Sequence, residues 1–291
     1  MCILTDLCHH YANLYPKKFV DIAHPLSVLT VLVGTAFFFK LQMFVITPFV
    51  FNDLLCKVLW IVGAFIVYNI LGNQLACYCL DTSVDSLPQD RRTPSAEEEH
   101  LWHYCEICQR LMPPRSWHCN LCKCCILKRD HHCVFTATCI GHNNHRYFFW
   151  FTFYLTLGTG LSILTTIIYI VKKGYLFDPF PLYRIIFNVE HSKTSDGYSF
   201  CEYLIFLLNI CACVLPAIML AFQKRIVYFN TTYYKMCTRT YDLGFTKNCK
   251  FIMGERGLWT FISPTLKSPL PHDGTHWETN SSPPSVPVNV K

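Results

Sequence analysis

Four consecutive residues, Asp130-His131-His132-Cys133, carry the parts of an activated nucleophile. A thiol attacks well only as thiolate, which needs a base or a positive field beside it. An imidazole next to the cysteine can take its proton, and a carboxylate next to that imidazole can hold its tautomer and stabilise the imidazolium. The tetrapeptide lies in a segment, Cys105 to Cys139, that holds eight of the chain's eighteen cysteines and three histidines in 35 residues. Cys105-x2-Cys108 and Cys119-x2-Cys122 read as two knuckles, each a short turn aiming two thiolates at one cation. His118, Cys124, Cys125, His131, His132, Cys133, Cys139, His142 and His145 are further candidate ligands. Two tetrahedral zinc ions need eight ligands, fewer than the supply, so at least one thiol can be left off the metal. Spacing alone does not say which one. The segment is short, contains proline and is poor in large aliphatic residues, so metal binding has to supply its folding free energy.

The elements around it are apolar. The chain has 291 residues, 52% hydrophobic and 15% charged, against about 25% charged in an average soluble domain. Runs near 26–47, 54–79, 147–171 and 201–222 each reach the roughly 20 residues that span a bilayer. Together they predict an all-α polytopic membrane protein with four transmembrane helices. A small two-zinc cysteine-rich domain lies between helices 2 and 3. Pro25 opens the first run as a first-turn proline. Asn69 and Asn73 are four apart and share a helix face, expected to look into the bundle.

Lys and Arg place this domain in the cytosol. The segment between runs two and three carries eight, the tail after run four nine, and the loop 172–199 only four. The expected order is a cytosolic N-tail over 1–24, helices 1 and 2 over 25–80, linker and zinc domain over 81–146, and helices 3 and 4 over 147–223. Loop 172–199 is then luminal and the C-tail 224–291 cytosolic, disordered from about 263 because Pro, Ser, Thr and Asn dominate it. Sequons at Asn230 and Asn280 fall in that tail and should stay unglycosylated. The net charge of +6 is spread out, so no nucleic-acid partner is expected. Endoplasmic reticulum, Golgi or plasma membrane would all suit such a protein.

The cysteine-rich segment resembles that of the DHHC-type protein S-acyltransferases (palmitoyltransferases). The shared pattern is Cys105-x2-Cys108-x9-His118-Cys119-x2-Cys122-x2-Cys125-x4-Asp130-His131-His132-Cys133-x5-Cys139, continuing through Ile140-Gly141 and Asn144. Tyr241-Asp242-Leu243-Gly244 with Asn248 resembles the family's C-terminal motif. The resemblance implies two structural zinc ions, one on Cys105, Cys108, His118 and Cys125, the other on Cys119, Cys122, His132 and Cys139. It implies that Cys133 is the nucleophile, His131 its general base and Asp130 the group orienting His131. It implies a two-step thioester exchange, from palmitoyl-CoA or another long-chain acyl-CoA to Cys133, then to cysteines of membrane-associated proteins. The acyl chain would lie among the four helices. Arg115, Lys128, Arg129 and Arg146 are candidates for attracting CoA phosphates.

The chain departs from the family at Phe135 and Thr138, usually Trp and Asn, and at Tyr234, where a Thr-Thr-x-Glu motif has its glutamate. It lacks the Asp-Pro-Gly motif after the second helix. None of these changes touches a zinc ligand or a catalytic group. The competing reading is a membrane-tethered zinc scaffold, in which Cys133 would be dispensable and Cys105 would not.

Overall fold

The structure, a computed structural model, describes residues 16–173 and 200–280. Residues 174–199, expected as the luminal loop, lie outside that range, as do residues 1–15 and 281–291. Among the described residues, helix α1 spans Pro16–Leu41 and continues through a π-helical turn, Gln42–Ile46, into α2 at Thr47–Val50. Helix α3 spans Asp53–Cys79, α4 His145–Lys172, α5 Phe200–Phe229 and α6 Phe245–Met253. Four stretches, Lys17–Val50, Asp53–Cys79, His145–Lys172 and Glu202–Phe229, are long and apolar enough to cross a membrane. Their apolar side chains point outward in quantity, with Leu54 74% and Ile61 72% exposed. A water-facing surface of that kind would aggregate, whereas lipid accepts it. The chain thus fits an integral membrane protein with a cysteine-rich region between the second and third spans.

Helix α1 starts at Pro16, well before Pro25. A proline suits the first turn, because the missing N–H is one the helix end leaves unpaired anyway. Phe19, Val20, Ala23 and His24 then fall on one inward stripe at helical spacing.

Two compact units divide the chain, one of Met1–Val31, Gly72–Trp150 and Ala221–Lys291, the other of Leu32–Leu71 and Phe151–Leu220. In the second, the buried Gln42 side chain donates to Ser162 Oγ at 2.7 Å and accepts from Thr165 at 2.6 Å, while Asn209 also donates to Ser162 Oγ at 2.7 Å. Polar groups without water nearby must pair in this way. Asn69 and, in the first unit, Asn73 are both buried, as their shared face predicts.

The first unit holds the cysteine-rich segment, folded as three antiparallel hairpins. They are β1 (His103–Cys105) with β2 (Arg110–Met112), β3 (Trp117–Cys119) with β4 (Cys124–Ile126), and β5 (His131–Cys133) with β6 (Thr138–Ile140). The first strands of the three begin fourteen residues apart. Each turn has a left-handed residue at the same place, Gln109, Lys123 and Ala137, with φ of 52°, 58° and 54°. The segment is therefore a threefold repeat.

Residues 82–87 cap the hairpins, where Val84 and Leu87 pack with Met112, Cys125 and Leu127 in a small core. The Leu127 N–H donates to the Thr82 carbonyl at 2.9 Å. Gly141 has to be glycine, because a Cβ there would stand 2.6 Å from the Leu127 carbonyl oxygen. Asn144 locks the exit of the last hairpin: its amide donates to the Cys139 and Cys77 carbonyls at 2.9 and 3.2 Å and accepts from the Gly141 N–H. Asn248, in α6, similarly binds Tyr228, Asp242 and Leu243 and ties α6 to the end of α5.

The expectation of disorder from about residue 263 does not hold for residues 263–280. They form an irregular strap fixed to the cysteine-rich domain by a few anchors. Arg146 donates to the Ser268 carbonyl at 2.8 Å, His142 Nε2–H donates to the His272 carbonyl at 2.8 Å, and the two imidazoles stack with centroids 4.9 Å apart. Trp277 is buried, with the Arg115 guanidinium 4.2 Å above its ring. Gly274, at φ +92°, lies where a Cβ would meet His142 Cδ2 at 2.8 Å. Burial pushes the pKa of His142 down to about 3 and that of His272 to about 4, with Lys128 and Arg115 adding to the effect.

Both histidines are thus neutral while the strap is docked. A released strap would let them return toward 6.5, so the released state binds more protons below that pH. The strap should therefore weaken as pH falls from about 6.5 toward 4. Amide protection factors of residues 264–280, taken against the intrinsic exchange rate at each pH, should be high at pH 7.5 and fall steeply by about pH 5. Protection factors independent of pH would show that these two histidines do not hold it.

Candidate active site and metal centres

Strand alternation sorts the candidate ligands into two groups. On β3, His118 points to one face and Cys119 to the other, and on β5 His132 points opposite to His131 and Cys133. The register pairs His118 with Cys125 and His132 with Cys139 across their hairpins. Each hairpin thus offers a turn knuckle in one direction and a cross-strand pair in another. The knuckle Cys105/Cys108 meets the pair His118/Cys125, and the knuckle Cys119/Cys122 meets the pair His132/Cys139. In each group the four donor atoms lie within 4.8 Å of one another. His118 Nδ1 is 3.3 Å from Cys108 Sγ, and His132 Nδ1 is 3.3 Å from Cys122 Sγ and 3.5 Å from Cys139 Sγ. Three thiols and one imidazole converging on one point suit a tetrahedral, soft-ligand ion such as zinc. These two groups contain the same residues as the ligand sets that the family resemblance implies. Cys124 stands outside both, half-buried, its pKa pushed up to about 11 by burial and neighbouring negative charge.

The third repeat breaks this series. Cys133 occupies the first knuckle position, but the second is Thr136. A fourth hairpin, which would supply the cross-strand pair, would start at position 145. There α4 begins, and the chain departs as a helix. The Cys133 sulfur is left off both metal groups by the topology itself. It keeps the knuckle's surroundings: in the second repeat the Cys122 N–H reaches Cys119 Sγ at 3.5 Å, and the backbone and side chain of Thr136 serve Cys133 in the same role.

Around this sulfur the catalytic candidates are held tightly. Asp130 is fully buried. Its Oδ2 accepts from His131 Nδ1–H at 2.8 Å and from Gln223 at 3.1 Å, and its Oδ1 accepts from the Tyr233 N–H at 2.7 Å. His145 Nε2–H donates to Gln223 Oε1 at 2.7 Å and so fixes that amide. The other nitrogen of His131 faces Cys133, and Phe148 covers the ring edge-on with centroids 4.8 Å apart. Burial opposes charge at all three groups, but the contacts among them prevail. His131 and Tyr233 hold the Asp130 carboxyl below the usual carboxylate range. Asp130 and Cys133 raise His131 to about 10. His131, helped by Thr136, draws the Cys133 thiol below its ordinary value. The arrangement shifts the balance from the neutral pair toward imidazolium and thiolate.

Gln223 and Tyr233 were not foreseen. Gln223 ends a long apolar run, where a polar residue looks like a membrane boundary. Tyr233 acts through its backbone, which no side-chain pattern reveals.

The proposed CoA-phosphate residues are mostly engaged elsewhere. Lys128 is 1% exposed. Arg115 donates to the Asn230 and Thr231 carbonyls at 2.8 and 3.3 Å and is sandwiched between Tyr241 and Trp277. Arg146 is taken up by the strap, and Arg129 lies over the Tyr234 ring. Asn230, one of the two sequon residues, is buried with its amide donating to the Tyr241 carbonyl at 3.1 Å, so the fold leaves no room there for a glycan.

Comparison with known proteins gives the same direction. A family described as DHHC palmitoyltransferase matches residues 98–240. A protein of Danio rerio named "Probable palmitoyltransferase ZDHHC24" is 30% identical over 190 residues, covering 62% of this chain and 63% of the relative. The match thus covers just under two thirds of that relative's length. The matched region contains both groups of candidate metal ligands and Cys133, so the part of the chain that carries the candidate chemistry is the part that is similar to the DHHC palmitoyltransferase family.

Proposed function

We propose that the chain is a protein S-palmitoyltransferase acting through an acyl-enzyme on Cys133. The observation that carries this reading is a cysteine excluded from both metal groups while hydrogen-bonded to a histidine that a buried carboxylate orients. The Cys133 thiolate attacks the carbonyl carbon of a long-chain acyl-CoA thioester. The tetrahedral intermediate collapses with cleavage of the carbon–sulfur bond to CoA, and the departing sulfur takes the proton held by His131. His131, now neutral, takes the proton of a thiol on a membrane-associated protein; the resulting thiolate attacks the Cys133 thioester, and Cys133 leaves as thiolate, restoring the imidazolium–thiolate pair. Each step exchanges one thioester for another, so the demand is on thiolate activation and positioning. Two zinc ions, held by the two Cys3His groups, would be structural; when bound, they supply folding free energy and fix the strands that carry Asp130, His131 and Cys133.

The protein partners are membrane-associated substrates with cytosolic cysteines. The Lys and Arg distribution supports cytosolic termini and a cytosolic active site, in an endoplasmic reticulum or Golgi membrane or the plasma membrane. Purified chain in detergent should form a hydroxylamine-labile acyl adduct from palmitoyl-CoA and pass the acyl group to a cysteine-containing substrate. Cys133→Ser should lose both reactions, by more than about a thousandfold, at unchanged zinc content. Undiminished transfer by Cys133→Ser would leave the zinc scaffold as the reading.

A further inference from the structure

We propose that His24, on helix α1, is the outer partner of the second metal centre and holds its ligand His132 in place. His24 lies outside every motif of the cysteine-rich segment and more than a hundred positions before His132 in sequence. Yet its Nε2 is 2.9 Å from His132 Nε2, with the ring centroids 5.0 Å apart and the ring planes 23° from parallel. His24 is 8% exposed, with the Phe19 ring set edge-on against it.

The chemistry of the ligand fixes the direction of this hydrogen bond. His132 presents Nδ1 to Cys119, Cys122 and Cys139 at 3.3–3.6 Å. An imidazole that gives Nδ1 to a metal keeps its proton on Nε2. His132 Nε2–H is therefore the donor, and His24 Nε2 accepts as a neutral imidazole with its own proton on Nδ1. A partner of this kind fixes the ring orientation and raises the basicity of the ligand, and its loss commonly costs 10–100-fold in metal affinity.

The consequence reaches the nucleophile. His132 is the residue before Cys133 on β5, and strand geometry turns the two to opposite faces. A ring held by the metal on one side and by His24 on the other leaves that strand little freedom. His24 is thus a positioning residue, contributed by the first apolar helix.

This inference rests on reading the Cys119, Cys122, His132 and Cys139 group as a zinc centre, and the test separates the two. Full-length chain in detergent, carrying its zinc, is mixed with a colorimetric chelator, and the release rate of each zinc equivalent is followed for wild type, His24→Ala, His24→Phe and His24→Gln. The expected result is that Ala and Phe release one of the two equivalents roughly 10–100-fold faster than wild type, the other unchanged. His24→Gln, whose amide oxygen can accept from His132, should restore slow release, and autoacylation should follow the same order. Should His24→Ala fail to fold, the Phe and Gln variants make the same comparison. Two zinc equivalents leaving all variants at wild-type rates would overturn the role of His24 alone. A wild-type chain carrying fewer than two would overturn the metal centre beneath it.

Discussion

Asp130→Asn should lower autoacylation at neutral pH by roughly 10²–10⁴-fold while zinc content and folding persist. The carboxylate accepts three hydrogen bonds, from His131, Gln223 and the Tyr233 N–H. An amide has one oxygen to offer, so its NH2 must confront at least one of those donors, and the negative charge that keeps His131 protonated is gone. His131 then falls from about 10 toward an ordinary imidazole value, and the Cys133 thiol, no longer beside an imidazolium, rises. The sign follows: His131 lowers the Cys133 thiol in the wild type, so the wild-type rate should reach its plateau at a lower pH than the variant's. The variant should gain activity as pH rises toward the ordinary thiol range near 8.5. An Asp130→Asn enzyme with a wild-type rate and pH profile would remove the carboxylate from the mechanism.

Thr136→Cys should silence the enzyme by a different route. It restores the Cys-x2-Cys knuckle in the third repeat, whose turn already has the left-handed residue and donors of the other two. The free nitrogen of His131 faces the same sulfur, so two thiolates and an imidazole would converge, enough for a zinc ion completed by water. The purified variant should carry more than two metal ions per chain. It should lose at least about a hundredfold of its autoacylation, since a metal-bound thiolate no longer attacks freely, and recover when a weak chelator strips the additional ion while two zinc ions stay bound. Thr136→Val, lacking the thiol, should keep two metals. Full activity of Thr136→Cys at two metals per chain would mean that the third hairpin is not a knuckle that lost its partner. The left-handed Ala137, at φ +54°, shows that this turn tolerates backbone strain to keep the knuckle shape.

Much of this architecture is legible in the residues. Long apolar runs mark the spans, since only a helix satisfies its own backbone in lipid. The knuckle spacing marks the metal pairs. Which thiol lies outside the two ligand groups is not exposed by counting ligands; once the hairpins show a fourteen-residue period, Cys133-x2-Thr136 stands where Cys105-x2-Cys108 and Cys119-x2-Cys122 have their pairs.

The strap over residues 263–280 was hidden because composition averages over a window, while its docking depends on single anchors such as Ser268, His272 and Trp277. His24 and Gln223 were hidden for a related reason. Each is a lone polar residue on an apolar helix, and only the folded chain brings it to His132 or to Asp130.

The most direct measurement is site-mapped acylation with a metal count on the same sample. Wild-type chain incubated with palmitoyl-CoA, digested and sequenced by mass spectrometry, should carry one hydroxylamine-labile acyl group at Cys133 that is chased by a substrate thiol, in a protein holding two zinc ions. An acyl group that is never found at Cys133, or a spectroscopic signature of zinc bonded to that sulfur, would contradict the account.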